Sequence, residues 1–170
     1  DIIPTGINPN NLMDISGNRH HIDDYKGDPI GLTKGGAAIG PTSLPGWSAI
    51  QVEESVNGGY EVLWSHSSGK ISAWKVDAFG RFESNINAKL WQHEETFGVE
   101  LTGDSTLGLV SIENTGDVYL AHGDNKHIGN TQLYIRDIRD ANNDPIGLTK
   151  GGAAIGPTSL PGWSAIQVEE

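Results

Sequence analysis

The 27 residues DPIGLTKGGAAIGPTSLPGWSAIQVEE stand at 28–54 and again, letter for letter, at 144–170. The copies begin at Asp28 and Asp144, a period of 116 residues in a chain of 170. Whatever this segment folds into, the chain must accommodate it twice. Repeat arrays arise when a unit buries its apolar face only against its neighbour, and their first units often start differently from the rest. The lead-ins here do differ: HHIDDYKG precedes the first copy and YIRDIRDANN the second. The expected organisation is a first unit over 1–109 with its own start and a partial second unit over 110–170. The identity reflects either an assembly surface held fixed or a recent duplication. In both cases a partial unit leaves a sheet edge that something must cover.

Glycine (23 residues) and proline (8) punctuate short apolar stretches, and no long stripe of helical period develops, so the fold class expected is all-β. With 22 acidic and 11 basic residues the net charge is -11, which repels phosphates and disfavours nucleic acid and anionic membrane surfaces as partners. Divalent cations suit that balance better. Cysteine is absent, so disulfide and thiol chemistry play no part. No apolar run reaches the length of a transmembrane segment, and DIIPTGINPNNL lacks the regions of a signal peptide, as expected of a mature start.

GGYEVLWSHSSGKISAWKVDAFGRFES carries the clearest local pattern. Tyr60, Val62 and Trp64 alternate with Glu61 and Leu63, Ile71 to Val76 resumes after a polar turn, and DAFGRF turns into a third strand, predicting an antiparallel meander over 59–84. GWSAIQVEE predicts a further strand with Trp47, Ala49 and Gln51 on one face and Ser48, Ile50 and Val52 on the other. TLGLVSIENTGDVYLAHGD and TQLYIRDIRD read as more strands. NINAKLWQHEETFG is the one helix expected, near 86–97, with Ile86, Leu90, Trp91, Glu94 and Phe97 at three- and four-residue spacing and Gly98 to end it. KGGAAIGPTSLPGW has the composition of an ordered loop.

The run KGGAAIGPTSLPGWSAIQVEESVNGGYEVLW, then ISAWKVDAFGRFESN and FGVELTGDSTLG, resembles the tryptophan-rich tandem repeat of large bacterial exoproteins of the hemolysin-type calcium-binding and adhesin-like kind. The resemblance covers about 13–108 and resumes from about 128. It implies a secreted, β-rich, repeat-built surface or matrix protein with no known enzymatic activity. It also places a calcium-type loop on ELTGDSTLG, with Glu100, Thr102 and Asp104 at the ligand positions and Ser105 where the family has glycine. Hard cations favour Asp or Asn oxygens on a sharply turning loop, so this version departs from the pattern at two ligand positions and at the turn.

Other clusters compete with simpler readings. On a strand, His20 and Asp24 of HHIDD share one face and His21 and Asp23 the other, so no three ligands converge. HGDNKH offers His122, Asp124, Asn125 and His127, as a metal site or as ordinary turn chemistry. DIRDANND brings Asp137, Asp140, Asn142, Asn143 and Asp144 together, either around calcium between repeats or as a solvated linker. No nucleophile motif or phosphate loop occurs, and His93 beside Glu94 and Glu95 reads as an exposed helix end, so the chain is not expected to be an enzyme. Trp64 and Trp74 are expected in the core. Trp47 and Trp163, each after a Pro-Gly turn, are the tryptophans placed to meet a surface glycan.

The functional expectation is a secreted structural repeat protein that assembles head to tail by strand complementation into a fibre, matrix or adhesive array. Its assembly surface would lie on the second copy, at Gly147, Leu148, Ile155, Trp163, Ile166 and Val168, with calcium as a possible cofactor. The partner is the chain itself, as an adjacent unit or an identical chain. The alternative is a glycan-binding module that uses Trp47 and Trp163.

Overall fold

A computed structural model describes residues 12–16, 19–23, 29–113, 116–124, 131–142 and 144–169. Asp24, Asn125, His127 and Asn143 of the clusters named above lie outside them. The described chain is β-rich with one short helix, and an all-β fold is what it shows. It divides into two compact units, one gathering the residues up to Asn87 with Thr96–Gly98, the other Ala88–Glu95 with the residues from Val99 onward.

The first unit opens with β1 (Leu12–Ser16), β2 (Arg19–Asp23) and β3 (Ile30–Gly31), an antiparallel sheet in the order β1-β2-β3. β4 (Thr33–Lys34) and β5 (Ala37–Ala38) then form a minimal hairpin across Gly35 and Gly36, both at positive φ. Part of the expected loop is therefore regular. A second sheet follows in sequence order: β6 (Trp47–Glu54), β7 (Tyr60–His66), β8 (Ile71–Val76) and β9 (Phe82–Asn85). The β8–β9 turn is held by Asp77, whose Oδ1 accepts the N–H groups of Phe79 and Arg81, both at 2.9 Å.

β6 departs from simple alternation. Its register on β7 shifts between Ala49 and Gln51, so Ile50 is the extra residue of a bulge. Past the bulge the faces exchange: Val52 is 2% exposed and sits in the core, while Ile50 is exposed. The core joins Ile22, Leu32 and Ile39 from the first sheet and its hairpin to Val52, Tyr60, Val62, Trp64, Trp74 and Val76 from the second. Trp64 and Trp74 are buried as expected, with ring centroids 4.7 Å apart.

Helix α1 (Leu90–Phe97) starts four residues later than the sequence spacing predicts. Ile86 already donates its N–H to Ala73 O of β8 at 2.8 Å, which holds it in strand-like backbone. At the helix start the Gln92 side chain accepts the Lys89 N–H at 2.8 Å, as a cap. Gly98, at φ 63, supplies the left-handed residue that ends the helix.

The second unit has β10 (Val110–Ser111), β11 (Val118–Asp124), β12 (Thr131–Asp137) and β13 (Ile146–Gly147) in one antiparallel sheet, and the hairpin β14 (Thr149–Lys150) with β15 (Ala153–Ala154). Trp91 packs edge-on against Tyr134 at 5.3 Å, and Arg136 pairs with Glu95 at 2.9 Å.

Candidate assembly surface and aromatic cleft

The two copies share their local geometry up to the tryptophan. In the first, Leu32 donates to His20 O (2.9 Å), His20 to Ile39 O (2.9 Å) and Ile39 to Leu32 O (3.0 Å). In the second, Leu148 donates to Leu133 O (2.8 Å), Leu133 to Ile155 O (2.7 Å) and Ile155 to Leu148 O (2.9 Å). β3 pairs with β2 as β13 pairs with β12, so Leu133 takes the place of His20 and Tyr134 that of His21. The turn that follows also repeats, with Gly40 N–H on Ser43 Oγ and Gly156 N–H on Ser159 Oγ, both at 2.8 Å.

Past that point they part. Trp47–Glu54 forms β6 on β7, whereas 163–169 has no strand partner among the described residues. Trp163 and Ile166 are each 78% exposed. The strand expected of GWSAIQVEE therefore forms in the first copy and not in the second. An isolated strand lacks the ladder bonds and packed face that would hold it.

Of the residues expected to form the assembly surface, Leu148, Ile155 and Trp163 come together. With Leu133, Pro157 and Leu160 they line an apolar groove of about 280 Å³. Leu148 and Ile155 are half-buried there, while their equivalents Leu32 and Ile39 are closed off by the β6–β9 sheet. Gly147 lies beside Gln132, where any Cβ would meet the side-chain amide at 2.6 Å. Val168, half-buried, borders a separate small cleft with Gly116, Asp117 and Val118. Ile166 lines neither.

The candidate metal residues are engaged in other ways. Glu100 Oε1 accepts Thr102 N–H (2.8 Å), Thr102 Oγ1 (3.1 Å) and Asp104 N–H (3.2 Å), together with the Gly103 N–H. These donors, led by the Gly103 N–H, hold its carboxyl below the usual range. Sequence reasoning missed Glu94: rather than an exposed helix end, both it and His93 are buried. Glu94 Oε1 accepts Leu101 N–H (2.8 Å) and Thr102 N–H (3.0 Å), and its Oε2 accepts Gly108 N–H (2.9 Å). One buried carboxylate thus ties both ends of the ELTGDSTLG loop to the helix. The only hint in the sequence was that Glu94 fell on the apolar face of the helix spacing.

Asp124 is pushed up by burial first and then by the neighbouring charge of Asp104, so the fold brings these two candidates close. Asp137 is bound to Arg139 through both carboxylate oxygens, each at 2.9 Å, and is held down by those bonds. Asp140 Oδ1 accepts the Asn142 N–H at 3.0 Å. Among the described residues no three His, Asp or Glu side chains gather where they could hold one ion.

The two candidate glycan tryptophans are dissimilar. Trp47 is half-buried, lies edge-on to His66 at 5.0 Å, and lines a cleft with Lys34, Leu44, Trp64, Ser72, Trp74 and Asn85. Trp163 lies in the apolar groove with no comparable polar lining. Lys34 was not singled out from the sequence, although its recurrence as Lys150 was visible.

No helix among the described residues is long and apolar enough to cross a membrane. No curated protein and no solved structure matches the chain. The pattern of the Tryptophan-rich Synechocystis species C-terminal domain matches residues 11–108, more than half of the sequence, and the chain belongs to that family.

Proposed function

We propose that the chain is a piece of a structural repeat array, secreted and extracellular, whose units join head to tail by strand complementation. In this reading 1–109 is one unit and 110–170 opens the next. The observation that carries it is the contrast between Trp47–Glu54, paired on β7 over a closed core, and the identical 163–169, unpaired beside an open apolar groove. The first copy says what covers such a segment: a meander of the β7–β9 kind. Identity of sequence lets the second copy of one chain take the same place on a neighbouring unit. That contact is heterologous and does not close on itself, so it propagates. The resemblance to hemolysin-type and adhesin-like exoproteins supports the extracellular setting, and the role is mechanical rather than catalytic.

Light scattering across a concentration series, in millimolar calcium and after chelation, tests the proposal. A mass that grows with concentration is expected, and its loss on chelation would make calcium part of the joint. A mass fixed near the 18.2 kDa of the single chain in both conditions would overturn assembly between chains.

A second reading, glycan binding, is favoured by the cleft at Trp47, where aromatic and polar side chains converge.

A further inference from the structure

The cleft at Trp47 has a chemistry of its own. Its volume is about 190 Å³, room for one small ring rather than an extended chain. One wall is indole, from Trp47, Trp64 and Trp74, and the polar atoms come from Lys34, Ser72 and Asn85. The Lys34 ammonium stands 4.9 Å from the Trp74 ring centroid and 4.3 Å from that of Phe82. Contacts of this kind position a cation without neutralising it. Although the chain has 22 acidic residues, no carboxylate lies within ion-pair distance of Lys34 among the described residues. A positive charge held over aromatic rings at a cleft in a strongly acidic protein is suited to an anionic guest.

The walls narrow the guest further. A bare inorganic anion would leave the indoles unused, and an aromatic cation would be repelled by Lys34. A sugar ring offers an apolar C–H face to an indole and hydroxyls to a serine and an asparagine, and a carboxylate on that ring answers the ammonium. We propose that this cleft binds a single carboxylated sugar ring, a uronic-acid residue, with Lys34 on the carboxylate, Trp47 against the ring, and Ser72 and Asn85 on its hydroxyls. The proposal deepens the glycan reading, and every residue in it belongs to the first unit.

Titrating the full chain at fixed ionic strength with galacturonate and with galactose, followed by tryptophan fluorescence, tests it. The two sugars differ only in the carboxylate. Galacturonate is expected to bind at least about tenfold more tightly, about 1.4 kcal/mol. Lys34→Met should remove that preference, Trp47→Ala should abolish binding of both, and circular dichroism should show both variants folded. Lys150→Met makes the same charge change in the second copy and should leave binding unchanged. Equal affinity for the two sugars, or equal effects of Lys34→Met and Lys150→Met, would overturn the uronate assignment while leaving glycan binding standing. Saturable binding of neither sugar would overturn both.

Discussion

One 27-residue sequence takes two forms within a single molecule. Through the β4–β5 hairpin and its β14–β15 equivalent, and on through the serine-capped turn, the copies share the hairpin pairing and the bonds that close the turn, while among the described residues only the first adds a Thr33 N–H bond to Gly80 O. Even the glycines agree, Gly35 and Gly151 at φ 58 and 59, Gly46 and Gly162 at 78 and 80. Beyond the tryptophan, one copy is a strand and the other is not. Backbone hydrogen bonds that stay within the segment, or reach only the preceding strand, survive in both copies. The strand, whose partners lie some residues further on, exists only where β7 is supplied. Local sequence writes turns, and strands need a second party.

The largest expected consequence is at the leucine pair. Leu32 is fully buried and Leu148 half-buried, so Leu32→Ala should cost about 2 to 5 kcal/mol, and Leu148→Ala well under half of that. Denaturant titration of each variant measures the difference, and equal costs would mean that the second copy is as closed as the first.

A pH effect should separate the copies next. Burial, and then the charge of His21, lower the His20 pKa from 6.5, and its ring stands edge-on to Trp64 at 5.6 Å. The folded first unit therefore favours neutral His20, while the unfolded chain takes up the proton near 6.5. Its contribution is full above that value and is lost as pH falls toward the lowered folded pKa. The second copy has Leu133 at this position, so His20→Leu should make thermal stability less sensitive to acid. Some sensitivity should remain from His93, which burial also lowers. An unchanged pH profile in His20→Leu would contradict the assignment.

The smallest effect is at the isoleucines. Ile50→Thr and Ile166→Thr should each change stability by less than about 0.5 kcal/mol, since both side chains are exposed. Neither should weaken concentration-dependent association in light scattering, since Ile166 would take the exposed bulge position of Ile50, whereas Val168→Thr, at the position of the buried Val52, should weaken it. Weakening by Ile166→Thr but not by Val168→Thr would place the joint elsewhere.

Much of the framework was legible in the sequence. The meander, the burial of Trp64 and Trp74, and the helix end at Gly98 follow from alternation, aromatic content and turn chemistry, which act over a few residues. The bulge at Ile50 was not legible, because it arises from how β6 meets β7, and it moved Val52 into the core. Glu94 was misread because its partners are backbone N–H groups 7 to 14 residues away, which no side-chain motif announces. Lys34 looked like an ordinary charged residue in a glycine-rich stretch until the fold set it over Trp74 and Phe82. Of the residues expected at an assembly surface, Leu148, Ile155 and Trp163 line one groove, and Gly147, Ile166 and Val168 do not.

The most direct test is amide hydrogen exchange at 163–169 in a chain that carries a copy of residues 55–98 after Glu170, which supplies the second copy with the partner of the first. The account predicts that exchange there slows to the rates of 47–54 while Trp163 fluorescence shifts to that of a buried indole. If 163–169 still exchanges as an open segment with the meander in place, then a missing partner is not what keeps the second copy open, and strand complementation is not how these units join.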